Sequence, residues 1–188
     1  SPGPPNCCLM VQAAFVGRQC SVFGRERLME LVRRVPCGLP RYFAHSSINE
    51  VHSCTTLLFA QLREEATVLL SSPLIATLVQ RHILEHETLP VALASLMSSK
   101  LCGDDCDAGP SHTWHALKKH IGATLRSPAV LRAITSDLVK AVLDLATVGL
   151  LQVFLNFKGF HALTLHRVAH TLWQEGCEKT AQAIGPLP

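Results

Sequence analysis

The sequence predicts an all-α protein, and three observations lead to that class. From residue 46 onward, apolar residues recur at spacings of three and four, which is the period of an amphipathic helix. No run alternates apolar and polar residues between turn signals, as a half-buried strand would. Serine, proline and glycine divide the pattern into segments of helical length. With 48% apolar and 16% charged residues in 188, the chain is long and apolar enough for one packed domain.

The first three predicted helices lie between residues 46 and 102. The first begins at Ser46 or Ser47, since either serine can cap a helix, and runs toward Leu70. Pro73 opens the second helix, because a proline in the first turn removes only an N–H that has no partner within the helix. The third helix follows Pro90.

Two further helices follow a loop at residues 102–110. This segment, CGDDCDAGP, combines glycine, aspartate and proline, which are typical of turns. Ser111 then caps the fourth helix, while Ser127 and Pro128 open the fifth. The fifth helix is predicted to end near Asp144.

An apolar stretch at residues 148–157 leads to the last predicted helix. It is too continuously apolar for a solvated face, and exposed apolar patches usually mark interfaces, so we expect it to mediate self-association. A break at Gly159 separates the stretch from the last helix, which runs to about Glu175 and ends at Gly176 in the left-handed conformation. The apolar residues of the stretch are Val148, Leu150, Leu151, Val153, Phe154, Leu155 and Phe157.

The first 46 residues differ in composition from the rest. They carry six arginines against two glutamates and no lysine, as organelle transit peptides do, although an ordinary extension would fit equally well. We therefore divide the chain into an Arg-rich leader at residues 1–46, disordered or targeting, a helical domain at 47–178 and a tail at 179–188. The protein is expected in the cytoplasm, or in a plastid or mitochondrion if the leader is a transit peptide.

Composition also excludes several classes of function. No stretch of 18 apolar residues is present, so no membrane-spanning helix is expected. A basic stripe with interleaved aromatic residues is missing, which argues against a nucleic-acid partner. The eight cysteines are expected as reduced thiols, because the chain is neither short nor preceded by a secretory signal.

No metal site is expected from the cysteine and histidine patterns. Cys102, Cys106, His112 and His115 have an uncommon spacing for a zinc site, and aspartates lie between the two thiols. The histidine pairs at 82 and 86 and at 166 and 170 each share a helix face, but neither pair has a third ligand nearby in the sequence. We expect these four histidines at polar positions on amphipathic helices.

A third kind of histidine position and two cations lie on the last predicted helix. His161 lies on the apolar stripe of its helix, which predicts a core or interface histidine with a hydrogen-bond partner. Lys158 begins that helix and Arg167 lies on its solvated face, so neither is expected to bind a cofactor.

The segment that is most informative about the protein family lies at residues 154–176, FLNFKGFHALTLHRVAHTLWQEG. This segment strongly resembles the signature at the end of the helical N-terminal domain of serine acetyltransferases, which make O-acetylserine for cysteine synthesis. Residues 59–66 (FAQLREEA), 72–89 (SPLIATLVQRHILEHETL) and 98–102 (SSKLC) resemble earlier elements of that domain in the family's order. The resemblance covers about residues 57–176.

The resemblance implies an acyltransferase that moves acetyl from acetyl-CoA to the hydroxyl of L-serine, with no metal and no bound prosthetic group. In the family the chemistry belongs to a C-terminal left-handed β-helix of hexapeptide repeats, and no such repeat is visible here. We therefore expect no catalytic and no cofactor-binding residue in this chain, binding of L-serine and acetyl-CoA only together with a β-helix domain, and no activity of the 188 residues alone.

The resemblance also implies one substrate-binding residue, Asp144. In the family an aspartate fourteen residues before the KGFHAL motif reaches the serine site, and Asp144 precedes Lys158 by that number. Its carboxylate would bind the substrate ammonium. The family usually has Arg-Asp-Pro-Ala here, whereas this chain reads Leu143-Asp144-Leu145-Ala146. The alternative is a solvated aspartate at a helix C-terminus, where a negative charge is mildly unfavourable.

A second class of function is compatible with the same helices. In the family the helical domain packs trimers into larger oligomers, so this chain is alternatively a non-catalytic oligomerisation module.

Overall fold

The computed structural model describes residues 48–102, 112–145 and 149–185, and all regular secondary structure in these ranges is helical. The all-α prediction is therefore confirmed. The leader at residues 1–46 and most of the 102–110 loop lie outside the described residues. No helix in the described ranges is long and apolar enough to cross a membrane.

The described residues form helices close to the predicted positions. Pro73 and Pro128 each occupy the first turn of a helix, as predicted. A 3-10 turn (Leu69–Ser71) and a π-helical turn (Gln80–Leu84) extend the first two helices. In chain order the helices are α1 (Ile48–Val68), α2 (Pro73–Val79), α3 (Leu89–Cys102), α4 (His112–Leu125), α5 (Pro128–Asp144), α6 (Leu150–Asn156), α7 (Lys158–Gln174) and α8 (Glu178–Ile184).

The longest described helix, α1, has 21 residues and buries one face against the rest of the bundle. It contacts α3, α5, α6 and the π-helical turn. Its buried stripe includes Leu58, Leu62 and Ala66, which repeat at spacings of four. Helices α3 and α4 pack along each other, and α5 and α7 close the remaining sides.

The short helix α6 is enclosed by the chain itself, so the expectation that its apolar residues form an exposed self-association patch is wrong. Phe154 is 0% exposed, and α1, α5 and α7 surround the helix. The polar residues Gln152 and Asn156 form its exposed face, so the apolar residues face the core. The predicted break is also displaced: the backbone is extended at Phe157, and Gly159 lies in the first turn of α7. Val148 lies outside the described residues.

The C-terminal end of α7 has the predicted stop, followed by a helix that the sequence did not predict. Gly176 has φ +80°, and the Cys177 N–H donates to the Leu172 carbonyl at 2.9 Å. Helix α8 then packs on α7 with Ala181 and Ile184 buried. The segment expected to be a tail, residues 179–188, is thus helical up to Ile184, and residues 186–188 lie outside the described ranges.

Candidate functional site

Asp144, the predicted substrate-binding residue, is the last residue of α5. Its side chain is 61% exposed, and its Oδ2 lies 3.0 Å from the ammonium of Lys140, one turn earlier. An exposed ion pair of this kind contributes little to stability. The carboxylate is therefore accessible at the surface, with a cation beside it that a substrate ammonium would have to displace.

The backbone leaves α5 directly after Asp144. The Leu145 N–H donates to the Ala141 carbonyl at 3.1 Å, which ends the helix. Residues 146–148 lie outside the described ranges, and the chain continues at Gly149, which precedes α6 in an extended conformation. Asp144 therefore ends α5, and the next described helix along the chain is α6.

Glu65 on α1 holds the N-terminus of α6. Its Oε2 accepts the Leu151 N–H at 3.0 Å, and its Oε1 accepts from the Gln61 side-chain amide at 3.3 Å. The first N–H groups of a helix have no partner within the helix, and a carboxylate there also has favourable electrostatics with the helix dipole. Glu65 thus caps α6 from a position 86 residues earlier in the chain.

Burial raises the pKa of Glu65 above its ordinary value. The hydrogen bonds from Leu151 and Gln61 lower the pKa, but by less than burial raises it. Sequence reasoning missed this residue. The available signal was that Glu65 follows Leu58 by seven residues and Leu62 by three, which places a charged residue on the buried stripe.

His161 on α7 contacts the opposite end of α6, and its prediction as a core histidine is confirmed. It is buried, and its Nε2 lies 2.7 Å from the Phe154 carbonyl. A carbonyl only accepts, so Nε2 carries the proton. Burial lowers the pKa of His161, the hydrogen bond to Phe154 raises it, and the charge of Lys100 lowers it further. Helix α6 is thus held by polar side chains at both ends.

The two histidine pairs differ from each other. His82 is 1% exposed, and its Nδ1 lies 3.2 Å from the Ser95 hydroxyl, so its prediction as a polar surface residue is wrong. His86 is half-buried. His166 and His170 are exposed as predicted, with nearly parallel rings 6.3 Å apart. His82 lies in the π-helical turn, which packs against α1 and α3.

Within the described residues, no group of three or more potential metal ligands comes together. Cys102 is a free, partly buried thiol, while Cys106 lies outside the described ranges. The other cations considered from the sequence have ordinary surroundings. Lys158 is exposed, and Arg167 binds Asp137 with two hydrogen bonds of 2.7 and 3.2 Å, which join α7 to α5.

Comparison with known proteins assigns this arrangement of helices to a family. Residues 58–164 match the family model described as serine acetyltransferase, N-terminal. The chain belongs to the serine acetyltransferase family. The match begins inside α1 and ends inside α7, so it includes Glu65, Asp144 and His161.

Relatives in this family include proteins of plants, of a yeast and of the bacterium Buchnera aphidicola. Serine acetyltransferase 1, chloroplastic, of Arabidopsis thaliana is 32% identical over 124 residues, which is 65% of this chain and 38% of the relative. Probable serine acetyltransferase 5 of rice (Oryza sativa subsp. japonica) is 27% identical over 147 residues, 78% of this chain and 41% of the relative. A putative serine acetyltransferase of Schizosaccharomyces pombe is 32% identical over 129 residues, covering 68% and 46%. The chain thus spans less than half the length of these relatives.

Solved serine acetyltransferases have a similar fold. The soybean enzyme complexed with serine superposes with a TM-score of 0.61 at 30% identity, and the match covers 69% of this chain and 52% of the soybean chain. A serine acetyltransferase in complex with CoA gives a TM-score of 0.59 at 28% identity, covering 69% and 55%. The helical bundle therefore corresponds to about half of each solved chain.

Proposed function

We propose that this chain is the helical part of a serine O-acetyltransferase, which moves acetyl from acetyl-CoA to the hydroxyl of L-serine in cysteine biosynthesis. The match of residues 58–164 to the family's N-terminal model is the observation that carries the proposal. The similarity to solved enzymes bound to serine and to CoA supports these two molecules as substrates.

The reaction requires a general base within hydrogen-bond reach of the serine hydroxyl as it attacks the thioester. The two buried histidines of the described ranges are already bonded within the bundle, since His161 donates to the Phe154 carbonyl and His82 bonds to Ser95. We therefore assign the base, as in the family, to a β-helix domain. A thiol-release assay on the 188-residue chain should show no turnover above the blank, and turnover well above it would contradict this assignment.

We assign Asp144 to the substrate ammonium. Its exposure and its single described partner, Lys140, are compatible with an incoming cation. A charge-assisted hydrogen bond of this kind contributes to serine binding and not to acetyl-CoA binding.

The test joins the full chain to the β-helix part of the soybean enzyme. Asp144→Asn should raise KM for serine about tenfold and leave KM for acetyl-CoA unchanged. Glu87→Gln removes the same charge at an exposed position after the π-helical turn and should change neither constant. If Asp144→Asn leaves KM for serine unchanged, the residue has no role in substrate binding.

A second candidate function is oligomerisation, and a specific surface favours it. Val68, Leu70 and Leu74 lie within seven residues at the junction of α1 and α2, and Leu74 is 71% exposed. Clustered apolar side chains on a surface are typical of interfaces. We propose that a second copy of the chain binds this corner.

Sedimentation velocity measures self-association and tests whether these exposed apolar side chains form an interface. Leu74→Asp should reduce self-association without lowering the unfolding midpoint, because the side chain has few contacts to lose. Leu163→Asp, at a less exposed apolar position on α7, should leave association unchanged. A wild-type chain that stays monomeric at high micromolar concentration would exclude the oligomerisation role.

A further inference from the structure

A cavity of about 700 Å³ lies between α2, the π-helical turn, α3 and α4. This volume is within the range of small-molecule sites. Its polar and charged lining is Thr77, Gln80, Arg81, Glu85, His86, Ser95 and Lys118, and its apolar lining is Leu70, Ala76 and Trp114. We call it the Trp114 cavity. It contains neither Asp144 nor any residue assigned above to acetyl transfer.

Trp114 forms a rigid apolar wall of the cavity. Its indole Nε1–H donates to the Ser99 hydroxyl at 3.0 Å, which fixes the orientation of the ring. The ammonium of Lys118 lies 4.7 Å from the centre of the same ring, so a cation–π contact holds it at the cavity wall. The wall therefore combines an aromatic face with a positioned positive charge.

The described lining has more positive than negative charge. Arg81 and Lys118 are the cations, and Glu85 is the carboxylate. Arg81 already has a partner within the protein, and its guanidinium carries five N–H donors in all. Arginine and lysine together are well suited to the oxygens of carboxylates and phosphates.

Two basic groups of the lining have lowered pKa values, chiefly because they are partly buried. Burial lowers the pKa of Lys118, Glu85 raises it by less, and Arg81 has the smallest effect and lowers it. Burial and then Lys118 lower the pKa of His86, against smaller opposing effects of Glu85 and of a hydrogen bond to the Arg81 backbone. The Nε2 atom of His86 is buried without a hydrogen-bond partner among the described residues. A negative charge in the cavity would stabilise the positive form of both groups.

We propose that the Trp114 cavity binds a small organic anion, with its carboxylate or phosphate group between Arg81 and Lys118 and its apolar part against Trp114 and Leu70. The charge of the lining selects for an anion, and the indole wall selects for an apolar body attached to it. This inference goes beyond acetyl transfer, because none of the lining residues is assigned to that reaction.

The test measures tryptophan fluorescence in the full chain. The sequence has two tryptophans, and Trp173→Phe removes the exposed one, so the remaining signal reports on Trp114. Phenyl phosphate and benzoate are the probes, since they share an apolar ring and differ in the anionic group. Benzyl alcohol is the neutral control, and sodium chloride keeps the ionic strength constant. We expect saturable changes with one or both anions, and none with benzyl alcohol.

Two variants test whether Lys118, a cation of the Trp114 cavity, is responsible for binding the anions. Lys118→Met keeps the apolar stem on the indole and should weaken anion binding about tenfold or more, while circular dichroism shows the fold retained. Lys119→Gln removes a neighbouring exposed lysine and should bind as the parent does.

Three outcomes would overturn the proposal. The first is the absence of saturable binding of both anions, by fluorescence and by titration calorimetry. The second is an equal loss of binding in the Lys118 and Lys119 variants, which would indicate general charge attraction. The third is binding of inorganic phosphate as tight as that of phenyl phosphate and benzoate, which would remove the apolar part of the ligand.

Discussion

Glu65 is a carboxylate inside a helical bundle, and two opposing effects act on it. Burial favours the neutral acid, whereas the hydrogen bonds from Leu151 and Gln61 favour the carboxylate. Burial has the larger effect, so the folded protein raises the pKa of Glu65 above the ordinary value of 4.5. The carboxyl group of Glu65 thereby gives the Leu151 N–H, in the first turn of α6, a hydrogen-bond acceptor in the buried interior.

Two substitutions of Glu65 distinguish the contribution of its acceptor oxygen to stability from that of its charge. Glu65→Ala leaves the Leu151 N–H without a partner and should cost about 1–3 kcal/mol of unfolding free energy, before any cost of the cavity left behind. Glu65→Gln keeps an acceptor oxygen and should cost less than half as much. Urea denaturation at pH 7 measures both, with the exposed Glu64→Gln as the control. Equal losses in the alanine and glutamine variants would show that α6 does not depend on this cap.

The same carboxyl group predicts a pH dependence with a defined sign. Because its pKa is raised on folding, the folded state binds the proton more tightly than the unfolded chain. The stability that Glu65 contributes is fully present below pH 4.5 and is lost as pH rises through the folded pKa. The stability of Glu65→Gln relative to wild type should therefore increase as pH rises from about 4.5 toward 7.

Urea denaturation of wild type and of Glu65→Gln between pH 4.5 and 7 measures the difference in their unfolding free energies. The titrations of His86 and His161 occur in both proteins and cancel in this difference. These histidines have lowered pKa values and the opposite sign, since their contribution is present above pH 6.5 and lost as pH falls. A constant difference between wild type and Glu65→Gln from pH 4.5 to 7 would contradict a raised pKa.

Individual residues also show where sequence reasoning is limited. The stripe of α7 was sufficient to place His161 in the core, because helical spacing alone determines a buried face. The contact between Glu65 and Leu151 joins two helices far apart in sequence, and no local pattern predicts which helix end a buried carboxylate will meet. Asp144 was found by resemblance alone, and its exposure gives no separate sign of function.

At the scale of an element, α6 is stabilised by burial rather than by its length. A seven-residue helix is too short to be stable in isolation, so its packing must supply the stability. Phe154 is fully buried, whereas Phe157, three residues later, is 38% exposed.

The two phenylalanines provide a matched comparison. Phe154→Ala removes a ring from a closed core and should cost about 3–5 kcal/mol. Phe157→Ala should cost less than half of that, since part of the ring is already in water. Thermal and urea unfolding measure both. Similar losses would mean that α6 is less enclosed than described.

The turn between α7 and α8 depends on one glycine. Gly176 has φ +80°, a conformation that side chains with a Cβ rarely adopt, and a Cβ there would meet no atom within 4 Å. Gly176→Ala should therefore cost about 1–2 kcal/mol from backbone conformation alone. Gly159→Ala, in the first turn of α7, places a Cβ in ordinary contact with the Phe157 ring and should be neutral or stabilising. An unfolding midpoint for Gly176→Ala equal to that of wild type would contradict the left-handed turn.

Helix boundaries were predictable where proline marks them and less so elsewhere. Pro73 and Pro128 begin helices as expected, because the fixed φ of proline acts locally. The sequence places the break before α7 at Gly159, but the residue with an extended backbone is Phe157. Its conformation is determined by packing against its neighbours and not by its own backbone preference. Helix α8 was missed because its seven residues offer only Ala181 and Ile184 to the core.

At the scale of the whole molecule, α1 connects the other elements through polar contacts as well as apolar ones. The Thr55 and Thr135 hydroxyls lie 3.2 Å apart between α1 and α5. Arg63 donates to the Leu84 and His86 carbonyls at 3.4 and 3.2 Å, which joins α1 to the end of the π-helical turn. With Glu65 at α6, one helix thus positions three others.

This arrangement explains which features of the whole molecule could be predicted from the sequence. The order of the helices and the family follow from the period and the motifs, which are local. The enclosure of α6 does not, because it requires α1, α5 and α7 to meet around it, and the apolar stretch alone is equally compatible with a surface between two copies.

The extent of the packed domain can be tested by shortening the chain. Removing residues 178–188 deletes α8, uncovers the part of α7 around Ala169, and loses the burial of Ala181 and Ile184. It should lower the unfolding free energy by about 2–4 kcal/mol. Removing only residues 186–188 keeps α8 and should have no measurable effect on urea unfolding. If both truncations leave the unfolding free energy at its wild-type value, the domain ends before α8, where the sequence placed the start of a tail.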